Sequence, residues 1–502
     1  MPSEKIKLDK IRVRLAPSPT GYLHFGTARV GLFNYLLAKQ NNGSFILRIE
    51  DTDKERSTKE FEKGIMEGLK WLGLEWSEGP DIGGEYGPYR QTERLKIYRE
   101  YLEKLLKEKK AYYCFCSEEE LEAQRQYRMS IGEAPIYSGK CADMSEEEVK
   151  KNLAEGKDCV IRFKAPVKKV VFNDLIRGRL EFDSKMIGDT VIAKGLDSPL
   201  YNFAVVIDDH LMKISHVVRG EDHLSNTPKQ ILLQEAMGLN HPVYAHLPLV
   251  MAPDKTKLSK RHGTVSIESY RDDGYLPEAL INFMVFLGWN PGDEREIFSM
   301  DSLVKEFDIK RVQKGGAIFN IEKLNYLNGF YIRSKKPEKL TEFCIPFLEK
   351  AGLIEKKKDT YAVKDTGEDV DLEELTAIVS LYQERLKHLS EIANLTDFFF
   401  KKDISLEKDK LKWKQMADED VKNSLERSES VLSEIKDANW TKENLEKTLL
   451  KMSEEYSSRG ELLWPLRVAL SGREASAGPF DILSILGREK SLNRIKSAKK
   501  LL

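Results

Sequence analysis

The chain is poor in cysteine: five in 502 residues, at positions 114, 116, 141, 159 and 344. So small and odd a number excludes a disulfide framework and fits a reducing, cytoplasmic setting. Charge of one sign is also missing. Lys and Arg number 81 against 82 Asp and Glu, a net charge of -1. No global basic field marks a nucleic-acid binder, so any such contact must come from local patches. No uninterrupted apolar run approaches the ~18 residues of a membrane span. The opening MPSEKIKLDK lacks the apolar stretch of a secretory signal. There is no internal repeat of 20–50 residues and no low-complexity tract. What is present is 41% hydrophobic and 32% charged, the balance of a folded globular protein rather than a disordered one. Its length suits about three domains at roughly 150 residues each.

Residues 11–53 read as a β-α-β unit. Ile11, Val13 and Leu15 alternate with Arg12 and Arg14, a period-2 strand. A turn follows at 17–21, then a helix from about Thr27 to Lys39 with Val30, Phe33, Leu36 and Leu37 on its apolar side, stopped by Asn41, Asn42 and Gly43. Phe45, Ile46, Leu47 and Ile49 form the next strand. This alternation predicts a parallel sheet with a ligand site beyond the strands' C-terminal ends. Residues 57–110 are helix-patterned. Residues 111–200 change character, with an acidic helix near 117–127 and short β-like runs at 160–164, 169–172 and 190–193, as an inserted domain would. The pattern predicts one strand from Phe203, Val205, Val206 and Ile207 and another from Ile214, Val217 and Val218. Leu375, Ile378, Val379, Tyr382, Leu386 and Leu389 predict one long helix, preceded by a charged surface turn over 354–374.

Two segments carry chemistry. The first, Pro17-Ser-Pro-Thr-Gly-Tyr-Leu-His-Phe-Gly-Thr-Ala28, joins strand to helix, where backbone N–H groups and the helix dipole face any anion. His24 can donate to phosphate oxygens, and Gly26 lets a flat ring or phosphate come close to the backbone. Neither a GxGxxG nor a Walker loop is formed. Alone, the segment is equally an ordinary turn with a surface histidine. The second, Lys255-Thr-Lys-Leu-Ser-Lys-Arg261, packs four cations into seven residues without an apolar stripe. Such a loop can close on a triphosphate; alone, it is more often a solvated charge run.

Together the two resemble the signature pair of the class I aminoacyl-tRNA synthetases: HIGH, here His24-Phe-Gly-Thr27, and KMSKS, here Lys257-Leu-Ser-Lys-Arg261. Arg14-Leu-Ala-Pro-Ser-Pro-Thr-Gly21, Arg48-Ile-Glu-Asp-Thr-Asp53, Gly87-Pro-Tyr-Arg-Gln-Thr-Glu-Arg94 and Val218-Arg-Gly-Glu-Asp-His223 are similar to the glutamyl/glutaminyl branch. Leu470-Ser-Gly-Arg-Glu474 and residues 480–487 resemble the tail of its bacterial glutamyl-type members. The resemblance implies an α/β Rossmann-like class I catalytic domain with an inserted α/β acceptor-binding domain, followed by a helical C-terminal half. The boundaries expected are 1–99 and 201–254 for the two halves of the catalytic domain and 100–200 for the insertion. A connecting helical domain with the KMSKS-type loop would occupy 255–334, and a helical anticodon-binding region 335–502. It further implies a cytoplasmic monomer that joins L-glutamate to tRNA(Glu), with ATP and Mg²⁺, through a glutamyl-adenylate. Three rivals fit less well. A short enzyme that glutamylates a modified base in tRNA lacks an anticodon-binding region, for which this chain has ample length. Bacterial glutaminyl enzymes end in β-barrels, whereas 335–502 is helix-patterned; a catalytically inactive tRNA-binding paralogue is countered by intact His24 and Lys260.

By the same resemblance His24 and Lys260 stabilise charge on the phosphate. Pro17, Gly26, Thr27, Lys257, Ser259, Lys260 and Arg261 meet ATP. Arg14, Ala16, Ser18, Glu50, Tyr201, Arg219 and Asp222 meet the amino acid. Arg14 and Arg219 supply two planar forks for two carboxylates, and the sequence leaves open which takes which. Glu50 suits the ammonium. Some relatives carry Asn where this chain has Val205, which cannot hydrogen-bond a substrate. The resemblance also implies a zinc site at Cys114-Phe-Cys116 and Cys141, with Asp143 where zinc-binding relatives have histidine and Tyr137 as the other candidate fourth ligand. Finally, six cations among residues 488–502 stand against one acid, a local +5, and suggest a surface for RNA phosphates.

Overall fold

The computed structural model describes residues 10–258, 266–358 and 360–502. The chain divides into two compact units, one built from the N-terminal residues to Arg271 plus Pro277–Leu324, the other from Asp272–Leu276 plus Asn325–Leu502.

In the first unit β1 (Arg12–Leu15) and β2 (Ser44–Leu47) pair in parallel across α1 (Phe25–Gln40). This is the expected β-α-β unit, with the helix stopped at Asn41 and at Asn42, whose φ is +48°. Next come α2 (Lys59–Trp71), α3 (Leu95–Lys107), β3 (Ala111–Cys114), α4 (Glu118–Ser130), α5 (Glu146–Ala154), β4 (Val160–Phe163), β5 (Lys169–Asp174), β6 (Gly178–Asp183) and β7 (Val191–Ala193). Then follow α6 (Tyr201–Leu211), β8 (His216–Gly220), α7 (Thr227–Met237) and β9 (Val243–Leu247). β3, β4 and β7 form an antiparallel sheet of their own, while the hairpin β5–β6 extends the parallel β8–β9 pair into a four-stranded sheet ordered β6-β5-β9-β8. Part of the stretch between 100 and 200 therefore builds the wall of the central sheet. β8 adjoins β1 through Ser215, whose N–H donates to the Arg12 carbonyl at 2.9 Å.

The strand expected over 203–207 is a helix, α6. Phe203 through Ile207 are all apolar and buried, so this stretch carries no amphipathic stripe to separate it from a buried strand.

The second unit is mostly helical. Helices Asp418–Glu434, Lys442–Ser453, Arg459–Ser471 and Pro479–Lys499 pack on one another, the last kinked at Gly487, whose φ of +73° interrupts the helical backbone. Two expectations fail here. The stretch 354–374, expected as a surface turn, contains a small antiparallel sheet of Ile354–Lys356, Tyr361–Val363 and Asp369–Val370. The long helix through Leu389 ends at Ser380. Beyond it the Gln383 amide donates to the carbonyls of Ile332, Arg333 and Lys335, and Leu389 N–H donates to Gly274. Tyr382, Leu386 and Leu389 are still buried at helical spacing, which is why the pattern looked continuous. Among the described residues no helix is long and apolar enough to cross a membrane.

Candidate active site

β1 runs out at Leu15 and the chain turns through Ala16, Pro17 and Ser18 before α1 starts. His24 caps that helix: its Nδ1 accepts the Gly26 N–H at 3.0 Å. A neutral ring held this way carries its proton on Nε2, a donor suited to phosphate oxygen. A Cβ on Gly26 would stand 3.3 Å from that same Nδ1, so glycine keeps the cap tight. The first turn of α1 contains no acid, leaving its positive end to a ligand. Phe25 packs edge-on against Phe319 and tilted against Phe283, fixing the turn from beneath.

These residues line a cleft of about 1070 Å³. Arg14, Ala16, Pro17, Ser18, His24, Gly26, Thr27, Glu50, Tyr201, Arg219, Asp222 and Lys257 all border it, drawn from β1, α1, the end of β2, α6, β8 and the start of the basic loop. Ser259, Lys260 and Arg261 lie outside the described residues. Val205 is buried on α6 away from the cleft lining.

The floor is a balanced buried ion network. Arg14 meets Asp209 through Nε at 3.1 Å and Nη2 at 3.3 Å. Arg48, fully buried, bonds Asp209 at 2.7 Å and Glu50 at 3.1 Å. Arg94 bonds Asp208 at 2.6 Å, and Gln91 and Tyr98 also donate to Asp208. Three arginines face three acids. Burial would raise the Asp209 carboxyl, but the guanidiniums of Arg14 and Arg48 outweigh it and hold it below the usual range. Glu50 goes the other way: burial lifts it above the ordinary carboxylate range despite Arg48 and Arg14. Glu50 is the acid of this network that borders the cleft, where a cationic ligand group would meet it.

Around the rim, Asp222 pairs with Lys257 at 3.0 Å, at the root of the basic loop. A Cβ at Gly220 would fall 2.5 Å from Asp222 Oδ1, so a larger residue there would push that carboxylate aside. The Tyr201 hydroxyl sits 3.0 Å from His223 Nδ1. Burial, helped by Arg219, pushes His223 down to about 4, so it is neutral near pH 7. His223, Arg29 and Asn226 also line the cleft and were not singled out from sequence. His223 stood in plain view at the end of the Arg-Gly-Glu-Asp-His run. Arg29 is hidden in an apolar helix, where its Nη1 donates to the Pro248 carbonyl at 2.8 Å.

A second cluster lies in the β3-β4-β7 region. The sulfurs of Cys114, Cys116 and Cys141 all fall within 4.8 Å of one another. The Tyr137 hydroxyl is 3.4 Å from both Cys114 and Cys116. Asp143 does not join them: its side chain is 92% exposed and bonds Lys164, because the chain turns outward two residues past Cys141. Of the two candidates for the fourth position only Tyr137 is at hand.

The likeness to known proteins agrees with this geometry. Residues 10–326 match the catalytic domain of the class I tRNA synthetases (E and Q), and residues 339–499 match an anticodon-binding domain. The chain is 47% identical to glutamate–tRNA ligase 1 of Caldicellulosiruptor saccharolyticus, over 98% of its own length and 99% of the relative's. It is 46% identical to the glutamate–tRNA ligase of Carboxydothermus hydrogenoformans, over 97% and 99%. The crystal structure of a glutamate tRNA ligase from Elizabethkingia meningosepticum in complex with its amino acid superposes with a TM-score of 0.84 at 36% identity, over 98% of this chain and 100% of that one. The chain belongs to the glutamate–tRNA ligase family, within the E and Q branch of the class I tRNA synthetases.

Proposed function

We propose that the chain is a glutamyl-tRNA synthetase, activating L-glutamate with ATP and passing the glutamyl group to the 3′ end of tRNA(Glu). The observation that carries this reading is one cleft bordered by an anion-facing helix cap and by the buried arginines Arg14 and Arg219. Attack of the glutamate α-carboxylate on the α-phosphorus forms a P–O bond as pyrophosphate leaves, and needs neither a protein nucleophile nor a strong base. It needs alignment and stabilisation of charge on the phosphoryl oxygens. His24 Nε2–H and the cations of the Lys257–Arg261 loop supply that charge, Lys260 foremost, with Mg²⁺ carried on the triphosphate. Pro17, Gly26, Thr27 and Ser259 shape the nucleotide's place. Arg14 and Arg219 take the two carboxylates, Glu50 the ammonium, and Ala16, Ser18, Tyr201 and Asp222 border the amino acid.

In the same reading residues 1–99 and 201–254 form the catalytic domain, 100–200 the acceptor-binding insertion, 255–334 the connecting domain and 335–502 the anticodon-binding region. The protein works as a cytoplasmic monomer. A structural zinc ion would be held by Cys114, Cys116 and Cys141, with Tyr137 beside them. Burial and the neighbouring Cys141 and Cys114 sulfurs push the Cys116 thiol up to about 11; a cation among the sulfurs would relieve that crowding. Charging of purified tRNA(Glu) and tRNA(Gln) with labelled glutamate tests the assignment. Incorporation on tRNA(Glu) is expected; none on either tRNA, with ATP consumed or not, would overturn it.

A further inference from the structure

A chain of three buried side chains runs from the β5–β6 hairpin to the cleft. Arg219 on β8 and His246 on β9 are register partners in the parallel pair, and Asp174 ends β5 opposite Tyr244, two residues from His246. All three are buried. Asp174 Oδ2 accepts His246 Nδ1–H at 2.6 Å and the His246 backbone N–H at 3.0 Å. Its Oδ1 accepts the N–H groups of Ile176 and Arg177 at 2.9 and 2.8 Å. With both oxygens supplied, the carboxyl stays below its ordinary range although burial alone would raise it.

Because Nδ1 donates, the neutral ring presents Nε2 as an acceptor. It faces Arg219 Nε at 3.2 Å and the Thr227 hydroxyl at 2.9 Å, while Arg219 Nη2 donates to Thr227 Oγ1 at 2.8 Å. Burial lowers the His246 pKa despite its bond to Asp174, so the ring keeps that lone pair near pH 7. Arg219 Nη1 is buried with no hydrogen-bond partner, in a residue that borders the cleft.

We propose that Asp174 and His246 are positioning residues. The carboxylate fixes the imidazole tautomer, the imidazole fixes the plane of the Arg219 guanidinium, and the unpartnered Nη1 edge is thereby presented to a carboxylate of the amino-acid substrate. This rests on the carboxylate-binding role given to Arg219 above. Arginine is rich in rotamers, and ordering it before the ligand arrives removes that cost from binding. Purely internal packing has no need of an acceptor aimed at Nε, nor of a carboxylate, supplied from the hairpin, behind that acceptor.

Two variants of one residue separate the edges of the ring. His246→Asn places an amide near the Nδ1 position, keeping the Asp174 side but offering Arg219 nothing; His246→Gln reaches the Nε2 position and restores an acceptor. In glutamate activation by the full chain, His246→Asn is expected to raise KM for glutamate about ten- to hundredfold, the worth of one hydrogen bond to a charged group. KM for ATP and kcat at saturating glutamate should hardly move, and His246→Gln should recover most of the loss. Added to Arg219→Leu, His246→Asn should cost nothing further. Equal losses in both His246 variants, or a parallel rise in KM for ATP, would reduce the pair to scaffold. An unchanged glutamate KM in His246→Asn beside a large rise in Arg219→Leu would overturn the positioning and leave the role of Arg219 standing. An unchanged KM in Arg219→Leu would overturn both. Should His246→Asn fail to fold, near-isosteric Thr227→Val, which removes the hydroxyl bonded to both Arg219 Nη2 and His246 Nε2, should raise KM for glutamate and leave KM for ATP; an unchanged glutamate KM would overturn the positioning.

Discussion

Arg219 and Arg494 are equally withdrawn from solvent, 5% and 4% exposed, and their guanidiniums are used in opposite ways. Arg494, in the last helix of the second unit, donates from Nη1 to the Leu470 carbonyl at 2.6 Å and from Nη2 to those of Phe398 and Lys401 at 2.6 and 2.8 Å. Leu470 lies in the final turn of helix Arg459–Ser471, where carbonyls lack helical partners and carry the negative end of the dipole. Burial brings the Arg494 pKa down to about 10, and the group remains charged near pH 7. Arg494 is thus a tether whose terminal nitrogens are spent on backbone. Arg219, which borders the cleft, has side chains for partners, and they hold Nε and Nη2 while the buried Nη1 has none. Burial of a cation does not separate structural from functional use; the identity of its partners, and the edge they leave, does.

The sharpest way to break this contrast is substrate choice. If Arg14 and Arg219 are pre-held for carboxylates, an amide brings N–H against N–H, and glutamate should be preferred over glutamine by ~10⁴ or more in kcat/KM. Comparable values on a fixed tRNA would put both arginines in the class of Arg494. The cysteine trio extends the contrast to thiols, whose ligand atoms face one another and Tyr137 rather than backbone carbonyls. Protein purified without chelators should contain about one zinc per chain, and Cys114→Ser with Cys116→Ser should lose it. Glutamyl-adenylate formation should persist in that variant. Substoichiometric metal in the parent, with fold and charging intact in the variant, would make the trio ordinary packing.

Much of the first unit was legible because its chemistry sits in continuous segments. The β1–α1 turn, Glu50 at the end of β2 and the Arg219–Asp222 run each fall at the end of a regular element, where a ligand site in an α/β sheet is expected. What was not legible depends on contacts distant in sequence. Asp209 was unreadable as the partner of Arg14, 195 residues away, and Asp174 as the partner of His246, 72 residues away. α6 was misread because complete burial erases periodicity, and Asp143 because two residues of spacing cannot tell an inward from an outward turn.

In the second unit the contrast predicts a stability effect without a catalytic one. Arg494→Leu strands three buried carbonyls and should destabilise the protein by about 2–3 kcal/mol, read from urea or thermal unfolding. Glutamyl-adenylate formation should keep its rate where that step is independent of tRNA. Loss of activation at full stability would instead mean that Arg494 communicates with a substrate.

The smallest effect concerns the basic tail. Residues 488–502 carry six cations, which the sequence alone offers as a patch for RNA phosphates. Four are already engaged: Arg488 with the Ser433 carbonyl, Lys490 with that of Phe399, Arg494 with its three carbonyls, and Lys499 with Glu429 and Glu426. Lys496 and Lys500 are exposed and show no such bond among the described residues. Each phosphate neutralised contributes roughly 0.7–0.9 to the slope of log K against log salt. Lys496→Ala with Lys500→Ala should therefore flatten the tRNA-binding slope by no more than about 2. Deleting the segment is the poorer experiment, because it removes Arg494 and reports stability instead of contact. Substituting Arg488 and Lys490 as well should flatten the slope little further; a further change of about 2 in a folded variant would mean that their internal bonds open when RNA binds, and the tail would then belong with the cleft arginines rather than with Arg494.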